Sequence, residues 1–267
     1  MIYRHLARLL AIAACLLPLQ SSADDIPVAA ASSLTVVLEE IAGLFQRETG
    51  HTVKLSFGSS GTLAHQIIYG APFELFLSAD EQSVSFLNER GLTAGRGSIY
   101  GTGRLVLFVP RHSAVKPAAD LSTLAGSVRT GVLTRFAMAN PEHAAYGMQA
   151  KQALLNAGAW GAIEPHLILG KSAVQAMQFA LSGAVDAALL PYSLARLPAL
   201  ADKGRWIPVS EILYTPLCQR MVLLRNAGDA AREFHQYLLG KEARAVFGRY
   251  GLGPAAGQDE RMADRAP

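Results

Sequence analysis

Apolar residues recur along this chain in two rhythms that take turns. Short runs or every second position give way to apolar residues at every third or fourth. Residues 26–31 form a compact apolar run, as a buried strand would. Leu34, Val37, Leu38, Ile41, Leu44 and Phe45 then fall at helical spacing, and Gly50 stops that helix. Val53, Leu55 and Phe57 alternate as a strand should, and a short helix over 63–69 ends at Gly70-Ala71-Pro72. Residues 74–78 read as a strand, 82–90 as a helix stopping at Gly91, and 104–109 as a further strand.

A second set of elements follows. Residues 128–132 and 166–169 are predicted strands flanking a helix over about 142–156. A helix over 172–181 carries Val174, Met177 and Leu181 on one face. A strand over 187–190, a helix over 193–202 and a strand over 206–209 come next. A last strand over 219–224 precedes one or two helices over 230–250. Strands that alternate with helices imply an α/β fold with helices on both faces of a mostly parallel sheet. About ten strands exceed the ~4–6 that one sheet usually holds, so two domains are expected. Ligand in such folds sits where strands end and helices begin.

The first 23 residues differ from the rest. Arg4 and Arg8 precede an apolar run over 9–19, and Ser21-Ser22-Ala23 closes it with small residues, the pattern of a secretory signal peptide over 1–23. Ile12-Ala13-Ala14-Cys15 also resembles a lipoprotein cleavage box, which would leave Cys15 as a lipid-anchored N-terminus. No later stretch reaches the ~18 uninterrupted apolar residues of a membrane span. An exported, periplasmic location is therefore expected.

Composition narrows the partners. Half the residues are apolar, and 24 Lys and Arg face 21 Asp and Glu, with Arg4 and Arg8 lying in the signal segment. The remainder is close to neutral, which gives no basis for nucleic-acid binding. With Cys15 removed, Cys218 is the last cysteine, so no disulfide within the chain is expected. The histidines are scattered, and the chain has neither H-E-x-x-H nor C-x-x-C, so no metal-cation site is expected.

Two serine-bearing junctions carry the chemistry, Ala30-Ala31-Ser32-Ser33-Leu34 and Phe57-Gly58-Ser59-Ser60-Gly61-Thr62-Leu63. Each joins a predicted strand to a predicted helix and contains no charge. Helix N-termini point unpaired N–H groups forward, and serine hydroxyls add donors beside them. A lone serine there is ordinarily a helix cap. Two such junctions suggest a small anion held by neutral donors. Asp80 reads as a structural cap, and His143 as a surface or outer-shell residue.

The order of motifs adds a resemblance. V-A-A-A-S-S-L-T at 28–35, F-G-S-S-G-T-L-A at 57–64, G-A-P-F-E-L-F-L-S-A-D at 70–80, N-P-E-H-A-A-Y-G at 140–147 and A-M-Q-F-A-L-S-G-A-V-D-A at 176–187 occur in sequence. From about residue 28 to about 252 the chain resembles the periplasmic molybdate-binding proteins of ABC transporters. The resemblance implies the type II periplasmic binding protein fold: two α/β domains, each with a mixed, mostly parallel sheet, joined by two crossover segments. Domain 1 would comprise 26–102 plus 215–255, domain 2 would comprise 103–214, and 256–267 would be a C-terminal tail.

Carried over by position, Ser33 and Ser60 match the family's oxyanion-binding serines and Ser32 a neighbouring contact. Tyr146 stands where some members use a tyrosine, and Ala173 where a backbone N–H binds. Pro191 departs from a branch that has a binding tyrosine there. Tyr146 is expected to supply the phenol instead, with Ser59 and Tyr192 as further candidates. The resemblance implies capture of molybdate, and of tungstate by its similar size, by a monomer that hands it to a membrane permease, with no cofactor and no catalytic residue.

Two alternatives remain at this level. A same-fold protein for sulfate or a carboxylate would differ in cavity size or would place an arginine in the cleft, Arg135 being the nearest candidate. A serine hydrolase would need Gly at position 62 for a nucleophile elbow, where this chain has Thr62.

Overall fold

The computed structural model of the protein describes residues 23–253. The expected signal peptide, apart from Ala23, and with it Cys15, lies outside the described residues, as does the expected tail over 256–267. The chain begins with β1 (Asp25–Ala31), a 3-10 turn (Ser32–Leu34), α1 (Thr35–Thr49), β2 (Thr52–Gly58), α2 (Ser60–Ile68), β3 (Leu75–Ser78), α3 (Glu81–Glu89) and β4 (Ser98–Gly103). It then runs through β5 (Leu105–Pro110), α4 (Thr123–Arg129), β6 (Phe136–Ala139), α5 (Ala145–Asn156), α6 (Trp160–Ile163), β7 (Leu167–Gly170), α7 (Ala173–Leu181), β8 (Ala187–Pro191), α8 (Tyr192–Ala195), α9 (Pro198–Ala201) and β9 (Gly204–Pro208). It returns with β10 (Leu217–Leu223), α10 (Asp229–Leu239) and α11 (Lys241–Arg249).

These strands form two five-stranded sheets, ordered β2-β1-β3-β10-β4 and β7-β6-β8-β5-β9. In each sheet one strand opposes the rest. β10 pairs antiparallel with β3 and β4, and β5 with β8 and β9, while the remaining pairings are parallel. The opposing strand is in both cases the one with which the chain enters that sheet from the other. The two sheets are thus copies of one topology, mixed and mostly parallel, each completed by a strand arriving through a crossover. We refer to each sheet with its helices as a lobe.

Period-two alternation explains why the sheets are covered on both faces. In β5, Leu105, Leu107 and Val109 pack into one apolar cluster and Val106 and Phe108 into another. In β1, Ile26, Val28 and Ala30 face one cluster while Ala29 faces a third. Helices α2 and α3 supply Leu63, Ile67, Val84 and Leu87 to that third cluster. The helices thereby begin at the C-terminal ends of parallel strands, and the loops there face the other lobe.

Three predicted elements are corrected. Residues 128–132 are the end of α4 and a turn through Gly131, with φ 71°, and the strand lies later, at β6. Leu124 and Val128 are one helical turn apart and pack inward together, which outweighs the β-branched character of Val128 and Val132. The helix expected over 193–202 is broken before Pro198 into α8 and α9, since proline cannot donate within a continuous helix. The helix expected from about 142 begins at Ala145.

Candidate anion site between the lobes

At the end of β1 the chain passes through the 3-10 turn into α1, burying Ser32 and Ser33. No side chain caps this turn. Thr35 Oγ1 donates to the Ser32 carbonyl at 2.8 Å, which steadies the loop. The Ser33 hydroxyl, only 2 % exposed by residue, has no hydrogen-bond partner among the described residues. A buried hydroxyl left unpaired is costly, and such atoms in native proteins call for an explanation.

The second junction divides its labour. Ser59 is the N-cap of α2: its Oγ accepts from the Thr62 N–H at 3.3 Å and lies 2.7 Å from Thr62 Oγ1. Ser60 Oγ instead accepts from the buried Ala79 N–H at 2.9 Å. One lone pair of Ser60 is therefore occupied by a fixed donor, and its own proton remains to be given away. Ser59 caps the helix and Ser60 is left to donate.

From the second lobe come the starts of α5 and α7. No side chain caps α5, whose first turn holds Ala145 and Tyr146, both buried. Ala173 is the first residue of α7, behind the capping Ser172, whose Oγ accepts from the Gln175 N–H at 3.3 Å. Tyr146 Oη accepts from Gln219 Nε2, on β10 of the first lobe, at 2.8 Å. Burial pushes the Tyr146 phenol well above its ordinary value, against the opposing effects of Gln219 and the nearby Ser33 and Ser193 hydroxyls. It stays protonated throughout the neutral range and can serve as a donor.

Ser32, Ser33, Ser59, Ser60, Tyr146 and Ala173 all line one small cavity of about 10 Å³. The starts of α1 (through its 3-10 turn), α2, α5 and α7 converge there, two from each lobe. Each N-terminus contributes a partial positive charge and forward-pointing N–H groups. No charged side chain is among its lining residues. The lobes are in contact around it: Ser193 Oγ donates to the Ser33 carbonyl at 3.0 Å, and the Gly61 N–H to the His143 carbonyl at 3.1 Å. Such an arrangement can enclose a small, multiply accepting anion and has little to offer a cation.

Tyr192 is the candidate that the structure places elsewhere. Its ring stands edge-on to Trp206, with centroids 5.3 Å apart, and its Oη accepts from Arg196 Nη1 at 2.9 Å. The ring lies between Trp206 of β9 and Gly251 and is not among the cavity residues, so the register shift from Pro191 is not made good by Tyr192. Arg135 is exposed and is not among the cavity residues. Asp80 caps α3 by accepting from the Ser83 N–H at 2.6 Å. Half-buried His143 contributes its carbonyl to the lobe contact. Among the described residues no group of three His, Cys, Asp or Glu is placed to hold a metal ion.

Two residues at the site were missed from the sequence. Gln219 and Ser193 reach it from 73 and 160 positions away from their partners. Neither lies in a motif, and a buried glutamine in an apolar strand was the one available signal.

A model of the bacterial extracellular solute-binding proteins matches residues 26–253. The molybdate-binding protein ModA of Rhodobacter capsulatus is 34 % identical over 238 residues, covering 88 % of this chain and 90 % of that protein. ModA of Azotobacter vinelandii is 34 % identical over 246 residues, covering 91 % and 95 %. The solved structure of the periplasmic molybdate-binding protein of Azotobacter vinelandii superposes with a TM-score of 0.75 at 28 % identity, over 85 % of this chain and 98 % of that one.

Proposed function

This chain belongs to the bacterial extracellular solute-binding proteins and, within them, to the molybdate-binding proteins, and from that premise we propose that it captures molybdate between its lobes and delivers it to the permease of an ABC transporter. One observation carries the reading: a small cavity, of about 10 Å³, lined by neutral donors at four helix starts from two lobes. A cavity of that size is close to the minimum that holds one water-sized body, so it suits a single small ion.

The donor set sorts the oxyanions. A fully ionised tetrahedral dianion offers acceptors alone, which Ser33, Ser60, Tyr146 and the Ala173 N–H would match. A phosphate that keeps a proton brings a donor for which the site provides no charged acceptor, and burying an unmatched donor costs affinity. Sulfate shares the charge of molybdate but is smaller, so the donors of the site would stand too far apart to reach it together. Tungstate resembles molybdate in size and binds as well. Ser32 adds a contact beside Ser33, whereas Ser59 acts as the cap of α2.

The remaining roles follow from the same reading. The protein works as a monomeric carrier in the periplasm, without cofactor and without catalysis; Ser60 faces the ligand as a donor, with no base beside it to make it a nucleophile. Domain 1 comprises 26–102 with 215–253, residues 254–255 of its expected span lying outside the described residues, domain 2 comprises 103–214, and they hinge at the two crossovers. Melting in the presence of oxyanions tests this, because a ligand bound only by the folded state raises the melting temperature with its concentration. Molybdate and tungstate are expected to raise it strongly at concentrations where sulfate and phosphate do not. An equal rise with sulfate would refute the molybdate assignment.

A further inference from the structure

Gln219 is wholly buried on β10, in a strand that otherwise needs apolar residues there. Its Nε2 donates to Tyr146 Oη across the lobe boundary, and its Oε1 has no partner among the described residues. The surroundings are shaped around this pair. A Cβ on Gly103 would stand 2.6 Å from Tyr146 Oη and 2.7 Å from Gln219 Nε2, so only glycine lets the two meet at the first crossover. Gln149, one turn after Tyr146 on α5, donates to the Gly103 carbonyl at 3.2 Å and to the Thr215 carbonyl at 3.1 Å. The helix that carries the phenol is therefore fastened to both crossovers.

We infer that Gln219 is the positioning residue for the phenol of the anion site: its N–H occupies an acceptor position on Tyr146 Oη and leaves the phenolic proton to be donated into the cavity. This rests on the oxyanion-binding reading of that cavity. The chemistry is one of direction. Were Oε1 turned to the phenol instead, oxygen would face oxygen, and the phenol's proton would be consumed between them. A dianion needs that proton, so its binding favours the amide orientation with Nε2 toward Tyr146. The unpartnered Oε1 is the cost of that orientation. Because Gln219 and Tyr146 come from different lobes, the bond is one of the contacts that join the lobes here. Ligand donation and lobe contact are thereby joined at a single oxygen.

A double-mutant cycle read by molybdate calorimetry tests this, with unliganded melting curves to verify folding. Gln219→Met, of similar length and without a donor, is expected to weaken molybdate binding by up to about tenfold in the wild-type background, the scale of one hydrogen bond. In a Tyr146→Phe background the same substitution is expected to change affinity less than about twofold, since its target oxygen is gone. Gln219→Leu serves for the same cycle should the Met variant melt at room temperature. Equal losses in both backgrounds would mean that Gln219 merely supports the fold and would overturn the inference, as would unchanged affinity in the wild-type background. A wild-type protein that binds no molybdate would instead overturn the function itself, and the inference with it.

Discussion

The buried Ala79 N–H donates to Ser60 Oγ at 2.9 Å, tying the end of β3 to the start of α2. This bond sets the direction of the serine proton before any ligand arrives. It also makes Ser60 a structural residue. Ser60→Ala is expected to weaken molybdate binding by about 1–3 kcal/mol, the cost of a donor lost to a charged group, and to lower the unliganded melting temperature by orphaning the Ala79 N–H. Calorimetry and thermal melts measure the two effects separately. Unchanged affinity would remove Ser60 from the site.

Ser33 gives the opposite pairing of effects. Its hydroxyl is buried and makes no hydrogen bond among the described residues, lying only near the Tyr146 phenol, so little in the unliganded protein is lost with it. Ser33→Ala is expected to weaken molybdate binding on the same scale as Ser60→Ala while leaving the unliganded melting temperature unchanged or slightly raised. A clear fall in that temperature would show that the hydroxyl has a structural partner.

Lobe contact depends on a missing side chain. A Cβ on Gly61 would lie 2.8 Å from the His143 carbonyl oxygen, to which the Gly61 N–H donates at 3.1 Å. Gly61→Ala is therefore expected to hold the lobes apart: small-angle scattering with saturating molybdate would report a larger radius of gyration than for the wild type, and affinity would fall. Identical scattering from both proteins would contradict the closing role of this contact.

The buried phenol predicts an alkaline effect. The fold holds Tyr146 protonated, its value raised chiefly by burial. That contribution to stability is intact below about pH 10, the ordinary phenol value, and is lost as the pH rises through the folded value, because the unfolded chain releases the proton first. Tyr100, buried and donating to the Ser78 carbonyl at 2.7 Å, is shifted in the same direction. Tyr146→Phe should thus lose less melting temperature than the wild type between pH 9 and pH 11. Parallel curves would place the alkaline loss elsewhere.

Much of this arrangement was legible in local patterns. Apolar patterning located β1 as a continuous run buried on both faces, β2 by the alternation of Val53, Leu55 and Phe57 against the core, and α1 and α2 by one inward face each. It failed at residues 128–132, where two valines suggested a strand in a stretch governed by the inward packing of Leu124. It also passed over β4, whose Gly101 and Gly103 carry no apolar signal but sit where other chain segments approach closely. At the site, both serine junctions could be read, since strand, small residues and helix are contiguous. The division between Ser59 as cap and Ser60 as donor could not, because it depends on Ala79, 19 residues away. The Tyr192 candidate failed because the Trp206 face and Arg196 take up its ring and hydroxyl. The role of Gln219 was hidden for a related reason: its partner lies in the other lobe, 73 residues away.

The most direct test of the central claim is titration calorimetry of the mature protein with molybdate, tungstate, sulfate and phosphate under one set of conditions. The account predicts tight one-to-one binding of molybdate and tungstate and no measurable heat from sulfate or phosphate. Sulfate binding as tightly as molybdate, or no binding of molybdate, would contradict it.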